Sequence, residues 1–242
     1  MAFHPPLTYP DAIETTFDAI QYVTGINGLL NEQGITLEMG SDFTRYTQLT
    51  GKARPDQPVG PPFDHRLHYL TQSNSFWIVG RDETGRVVHC QAIKSLDLAG
   101  SHLAEYLAER YLDFPPAGLA LDLASSRCHP GPMAHKIRGK VCYHGDVWLD
   151  TSYRGSGVSS LLARLALITC LLHLRPDHIF AFMPEGIAFR GLTEREGYMH
   201  AEPGILSWAL LGGGTVEGFM ISVGQDDLRQ LLRIPPRRLL KR

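Results

Sequence analysis

A glycine-bearing turn between a strand-like run and a long apolar helix constrains this chain more than any other feature. An apolar run ends at Leu149, a polar turn follows, and Arg154-Gly155-Ser156-Gly157 leads into a helical repeat. Val158, Leu161, Leu162, Leu165, Ile168, Leu171 and Leu172 recur at the three- and four-residue spacing of one helix face. Pro176 stops that helix, and residues 178–183 read as a buried strand ahead of Pro184. Strand, turn, helix and strand make one βαβ-like unit. The first N–H groups of a helix have no intrahelical acceptor, and the macrodipole adds partial positive charge. The turn is therefore a candidate anion site.

The rest of the chain is arranged around this unit. Residues 11–30 suggest a helix with Ile13, Phe17, Ile20 and Val23 on one face, and 35–39 a short strand. Ser41-Asp42 can cap a helix over 43–49, the proline-rich stretch 52–62 reads as loop, and 64–70 as one more short helix. Runs at 76–79 and 86–93 flank the turn 82–85 and predict a β-hairpin. Leu103, Leu107 and Tyr111 mark a helix, and 113–140 reads as a long irregular segment. Strand character returns over 141–149. After the central unit come a helix over 186–196, a second hairpin (205–211 and 215–223) turned by Gly212-Gly213-Gly214, and a short helix over 226–233. The chain reads as a single domain, 1–242. It has a helical N-terminal region at 1–75, a core at 76–223 with an insertion at 97–140, and a C-terminal helix and basic tail at 224–242.

The segment from Leu149 to Ser159 resembles the acyl-CoA pyrophosphate loop of the GCN5-related N-acetyltransferases. That family's pattern is Arg or Gln, two residues, Gly, one residue, then Gly or Ala; Arg154, Gly157 and Ser159 stand at those places, Ser replacing Gly or Ala at the last. The resemblance implies an α/β (α+β) acyl-CoA N-acyltransferase fold, a mixed, mostly antiparallel sheet with helices on both faces. It also implies that the strand before the loop and the strand after the helix splay apart around the pantetheine arm. Main-chain groups of Trp148, Leu149 and Asp150 would bond that arm. N–H groups of Gly155, Ser156, Gly157, Val158 and Ser159 would hold the pyrophosphate, with Arg154 adding charge. Charging or crowding Gly157 is then expected to abolish CoA binding and leave the unliganded fold intact.

The acid–base positions depart from the family pattern. The usual base positions fall on Gly145 and Tyr143, with His144 and Asp146 one residue off, on the opposite face of an ideal strand. A bulge would reverse that phase and offer His144 or Asp146 as base. Tyr143 reads equally as a packed aromatic or a proton donor. The family's acidic tyrosine falls on Thr193, five residues before Tyr198 of the Gly197-Tyr198 pair. A threonine hydroxyl can bond the CoA sulfur but is a poor acid.

Composition excludes some other classes. With 242 residues, 43% hydrophobic and 20% charged, the chain can bury a core. A net charge of −2 argues against nucleic acid as partner, and no apolar stretch is long enough for a membrane span. Cys90, Cys128, Cys142 and Cys170 lie apart without a paired motif, and the start of the chain lacks signal-peptide character; a cytoplasmic protein with reduced thiols is expected. The spacings of Cys128, His129, His135, Cys142 and His144 match no zinc pattern, so no metal is expected. The expectation is an acyl-CoA-dependent N-acyltransferase, with acetyl-CoA or another acyl-CoA as co-substrate and an amine of a small molecule as acceptor. A homo-oligomer is compatible with it. The alternative is a non-catalytic acyl-CoA-binding sensor or scaffold. The basic tail, Arg237-Arg238-Leu239-Leu240-Lys241-Arg242, reads as a solvated terminus that could also touch phosphates.

Overall fold

The computed structural model describes residues 12–240; the sequence readings of the first eleven residues and of Lys241 and Arg242 lie outside it. Eight strands form one sheet in the order β1-β2-β3-β5-β6-β8-β7-β4. They are β1 (Thr36–Gly40), β2 (Ser75–Arg81), β3 (Val87–Leu96), β4 (Leu121–Cys128), β5 (Val141–Leu149), β6 (His178–Pro184), β7 (His200–Leu210) and β8 (Thr215–Gly224). Only β5 and β6 run parallel; every other pair is antiparallel. The crossover joining the parallel pair is helix α5 (Val158–His173), as a parallel connection requires. Both expected hairpins are present. Asp82 Oδ1 accepts the N–H groups of Thr84 and Arg86 at 3.0 Å in the first turn. In the second, Gly213 and Gly214 take positive φ (89° and 86°), which few other residues adopt at low cost.

Each face of the sheet packs a different core. Helix α1 (Ala12–Glu32) lies against α5 on one face, over an aliphatic cluster that includes Ile26, Leu30, Ile78, Leu161, Leu165, Ile179 and Val223. On the other face, α2 (Phe43–Ala53) and the segment 97–140 cover an aromatic cluster: Phe43, Tyr46, Phe63, Trp77, Phe114, Tyr143, Phe180 and Trp208. Asp42 caps α2 as expected, its Oδ1 accepting from Thr44 and Arg45 at 2.9 and 3.1 Å. Among the described residues, no helix is long and apolar enough to cross a membrane, and no group of three or more His, Cys, Asp or Glu side chains could hold a metal ion.

Four local readings change. In α1 the buried face is Ala19, Tyr22, Ile26, Leu29 and Leu30, whereas Ile13, Phe17 and Ile20 are exposed. The helix carries apolar residues on two sides, and its packing against α5 selects one. Residues 64–70 form turns instead of a helix. The stretch 113–140 is not irregular throughout: β4 adds to the sheet edge beside β7, and Pro132–Lys136 form the short helix α4. The expected helix over 186–196 is two pieces, α6 (Glu185–Ala188) and α7 (Leu192–Glu196), broken at Gly191 with φ 72°. Helix α8 (Gln225–Leu231) precedes a 3₁₀ turn at Pro236–Leu239.

Candidate acyl-CoA site

Strands β5 and β6 pair only over their first three residues, Val141–Tyr143 with His178–Phe180. Beyond that point β5 stays with β3 as far as Leu149, and β6 stays with β8 as far as Pro184. The two therefore part, and each shows one unpaired edge to the gap. The cause lies in β5. Cys90 of β3 pairs Trp148 while Ala92 pairs Gly145, so Asp146 and Val147 together oppose one residue, Gln91. Asp146 sits at φ 55°, uncommon for a residue with a side chain. This is a β-bulge, which bends a strand and increases its twist.

The bulge assigns the catalytic candidates to different faces. His144 precedes it and lies on the α5 face, buried, with Nδ1 2.6 Å from the Tyr198 hydroxyl and Nε2 2.9 Å from Gln91 Oε1. Gln91 in turn donates from Nε2 to the Leu162 carbonyl at 2.8 Å. Both ring nitrogens of His144 are thus taken, and burial lowers its pKa to about 4. Thr193 is buried on the same side, 3.7 Å from the sulfur of Met183.

Asp146 falls on the α2 face. Its Oδ2 accepts from the Tyr46 hydroxyl at 2.7 Å and pairs with the Arg54 guanidinium, and its Oδ1 accepts the Gly60 N–H at 3.2 Å. Both charged side chains are almost wholly buried. Burial opposes the charge on Arg54, yet the adjacent carboxylate holds its pKa above the usual value. Burial and Asp146 likewise raise the Tyr46 pKa. Tyr143 shares this face, its ring 5.7 Å from Phe63, 4.7 Å from Phe114 and 5.3 Å from Phe180. A β-carbon on Gly145 would meet the Tyr143 ring and hydroxyl at 2.5–2.6 Å, so glycine there lets the ring lie back along β5, past the point where the strands part. Burial, then Asp146, raise the Tyr143 pKa, so the phenol is neutral at ordinary pH.

At the top of β5, Trp148 is half-buried and Leu149 buried. The Asp150 amide is already bonded to the Val88 carbonyl at 2.8 Å. Its carboxylate accepts from Ser152 N and Oγ at 3.0 and 2.6 Å and from Arg86 at 2.8 Å, which lower its pKa. Arg154 folds back, its Nε 3.2 Å from the Leu149 carbonyl. Ser156 Oγ donates to the Tyr153 carbonyl at 2.8 Å and accepts the Val158 N–H at 3.4 Å. The N–H groups of Gly155, Ser156, Gly157 and Ser159 have no protein acceptor among the described residues, and the N-cap Gly157 brings no capping side chain. Four open donors at the start of a sixteen-residue helix, beside a parted pair of strands, can receive an anionic group whose extended arm enters the gap.

Gly157 has a second role that its local sequence does not announce. It sits at φ 96°, and a β-carbon on it would come within 2.3 Å of the Leu239 carbonyl oxygen. The neighbour on its side-chain face is the C-terminal segment of the chain. The expectation that Gly157 can be charged without disturbing the unliganded fold is therefore corrected.

Tyr46, Arg54 and Gly60 also had no signal in the sequence. They lie eighty-six to a hundred residues from Asp146, and none belongs to a motif.

No family model and no curated protein matches the chain. Among solved structures it is similar to the spermidine/spermine N-acetyltransferase SpeG from Vibrio cholerae in complex with manganese ions. The identity is 11%, over 83% of this chain and 97% of that one, with a TM-score of 0.47. It is also similar to Arabidopsis thaliana NAA60 in complex with acetyl-CoA, at 12% identity over 78% of this chain and 98% of that one, with a TM-score of 0.44. By its own strand order, its single parallel pair and the parting of that pair beside the loop, the chain has the acyl-CoA N-acyltransferase fold.

Proposed function

We propose that this protein is an acyl-CoA-dependent N-acyltransferase that uses acetyl-CoA, or another acyl-CoA, to acylate an amine of a small molecule. The observation that carries the reading is the juxtaposition of the parted β5–β6 pair with the open N–H groups at the start of α5. A pyrophosphate on those groups would place a pantetheine arm along the open edge of β5, with the thioester near the bulge.

Acyl transfer then needs a neutral amine held close to the thioester carbonyl and a donor for the oxyanion that forms. Attack gives a tetrahedral intermediate, and its collapse expels the CoA thiolate. Tyr143 is the proton donor in this reading: its hydroxyl lies beside Gly145 and is protonated. It passes its proton to the departing thiolate and regains one from the water that takes the amine's proton. Thr193, on the α5 side, would be a weaker hydrogen-bond donor to the sulfur, in exchange for its contact with Met183. Asp146 is a positioning residue, since both carboxylate oxygens are engaged by α2 and the following loop. His144 ties β5 to Tyr198 in the same way, and the amine loses its proton to water.

The test couples binding to chemistry. CoA at about a hundred times its dissociation constant should stabilise the protein by roughly 2.7 kcal/mol, read as a higher melting temperature. Acetyl-CoA should release free thiol with at least one member of a panel of primary amines. A melting temperature unmoved by CoA overturns the reading. Binding without thiol release from any acyl donor or amine would assign the chain to the non-catalytic sensor or scaffold class.

A further inference from the structure

A lysine is buried beside Tyr143 on the α2 face of the sheet. Lys94 of β3 is 8% exposed and pairs in register with Tyr143 of β5. Their side chains therefore leave the sheet on one face, with β-carbons about 5 Å apart. The Ala92–Gly145 pair, where the Tyr143 hydroxyl lies, is two residues away along β3, roughly 7 Å. Two segments lie against Lys94. One is the turn that carries His68; the other is helix α3 (Leu103–Arg110) with the 3₁₀ turn Tyr111–Asp113 after it. His68 and Asp113 both feel the charge of Lys94. Phe114, next along the chain, packs on Tyr143 at 4.7 Å and on Tyr106 of α3 at 6.4 Å.

Buried charges are normally paired. Lys94 is not: among the described residues its ammonium has no hydrogen bond and no ion pair. Asp113 acts on it only from a distance, and Asp64 on the turn is engaged by Arg66 through bonds of 2.6–3.2 Å. Burial lowers the Lys94 pKa to about 8, with Asp113 opposing, so the ammonium is the main form at neutral pH. Burial and then Lys94 lower the pKa of His68, so its ring is neutral there. Lys94 and Arg110 against Asp113, with Asp64 and Arg66 cancelling, leave a single net positive charge beside a neutral imidazole. That balance suits a carboxylate better than a dianionic phosphate, which Asp113 would repel more strongly.

We propose that Lys94 determines acceptor specificity by binding a carboxylate on the amine that is acylated, so that the acceptor class is amino acids and not simple amines. This rests on the acyltransferase reading given above. The amine sits at the Tyr143 hydroxyl beside Gly145, and the carboxylate completes an ion pair with Lys94 under the cover of α3 and the His68 turn. An acceptor without the acid leaves the ammonium buried and unpaired, and the site discriminates against it for that reason.

The experiment compares glycine, β-alanine, γ-aminobutyrate and phenylalanine with their carboxamides as acceptors. Thiol release from acetyl-CoA is followed in wild type, Lys94→Met and Lys94→Arg. In wild type at least one acid should exceed its amide by about tenfold or more in kcat/KM, the difference lying mainly in KM. Lys94→Met, close in shape and uncharged, should bring that ratio down to about one, and Lys94→Arg should keep part of it. CoA should still raise the melting temperature of both variants. If Lys94→Met does not fold, Lys94→Gln takes its place. A wild-type ratio near one, or an undiminished ratio in Lys94→Met, overturns the proposal. CoA binding without turnover of any of these acids also overturns it and leaves the reading of the α5 loop standing. No CoA binding removes both.

Discussion

The two faces of β5 each bury a polar residue, and they do so differently. On the α5 face, His144 sits among aliphatic side chains as a neutral ring whose two nitrogens are bonded by Tyr198 and Gln91. On the α2 face, Asp146 sits among aromatic rings as a charged group, on strained backbone, held by Arg54, Tyr46 and Gly60. The neutral contact could be replaced by apolar packing at modest cost. The ionic one cannot be half removed, because the remaining charge would be buried alone. One residue of bulge separates the two arrangements, and it also opens the gap between β5 and β6. Strain and charge lie on the face that carries Tyr143.

The comparison is broken most severely at Arg54. Arg54→Met leaves the Asp146 carboxylate buried without its counter-ion and should cost about 3–5 kcal/mol in urea unfolding. Adding Asp146→Asn should recover part of that loss; strictly additive losses would show that the two do not act as a pair.

Tyr143→Phe tests the same face for chemistry. Among the described residues the phenol has no side-chain hydrogen-bond partner and packs by its ring, so stability should hold while acyl transfer falls by about a hundredfold. An unchanged rate would remove Tyr143 as proton donor.

The α5 face should announce itself through pH. His144 and His89 are buried, with pKa lowered to about 4 and about 3, below the unfolded value near 6.5. The unfolded chain therefore takes up protons first as pH falls. The stability these groups support is complete above about pH 6.5 and lost on acidification toward their folded pKa. By pH 5 each should have lost about 2 kcal/mol, and His144→Gln should flatten the pH dependence of the urea midpoint by one such share. A midpoint equally steep in the variant would mean that His144 titrates normally.

Gly157→Ala should lower the unliganded melting temperature, through positive φ and contact with Leu239, by an amount equivalent to about 1–3 kcal/mol. Arg154→Ala should have the smallest effect, about 1 kcal/mol of CoA affinity, because its side chain already folds back on Leu149. A loss of CoA affinity for Arg154→Ala well above that would give the side chain, and not the backbone N–H groups, the main part in holding the anion.

Much of the fold was legible in the sequence because its signals are local. Apolar spacing marked α5, the Asp82 and triple-glycine turns marked the hairpins, and Asp42 marked the start of α2, each decided by residues a few positions apart. The N–H groups at the start of α5 belong to the same class, since a helix end leaves donors open whatever surrounds it. Local pattern could not choose between two apolar sides of α1, nor place a bulge at Asp146 instead of before His144. Those choices depend on partners far along the chain: α5 for α1, and Tyr46, Arg54 and Gly60 for Asp146. The contact of Leu239 with Gly157 is of the same kind, eighty-two residues apart, and it gives the glycine a purpose that the loop motif alone did not supply. Periodicity and caps act within a few residues and can be read directly, whereas a buried charge or a strained φ is sustained only by groups that tertiary packing brings to it.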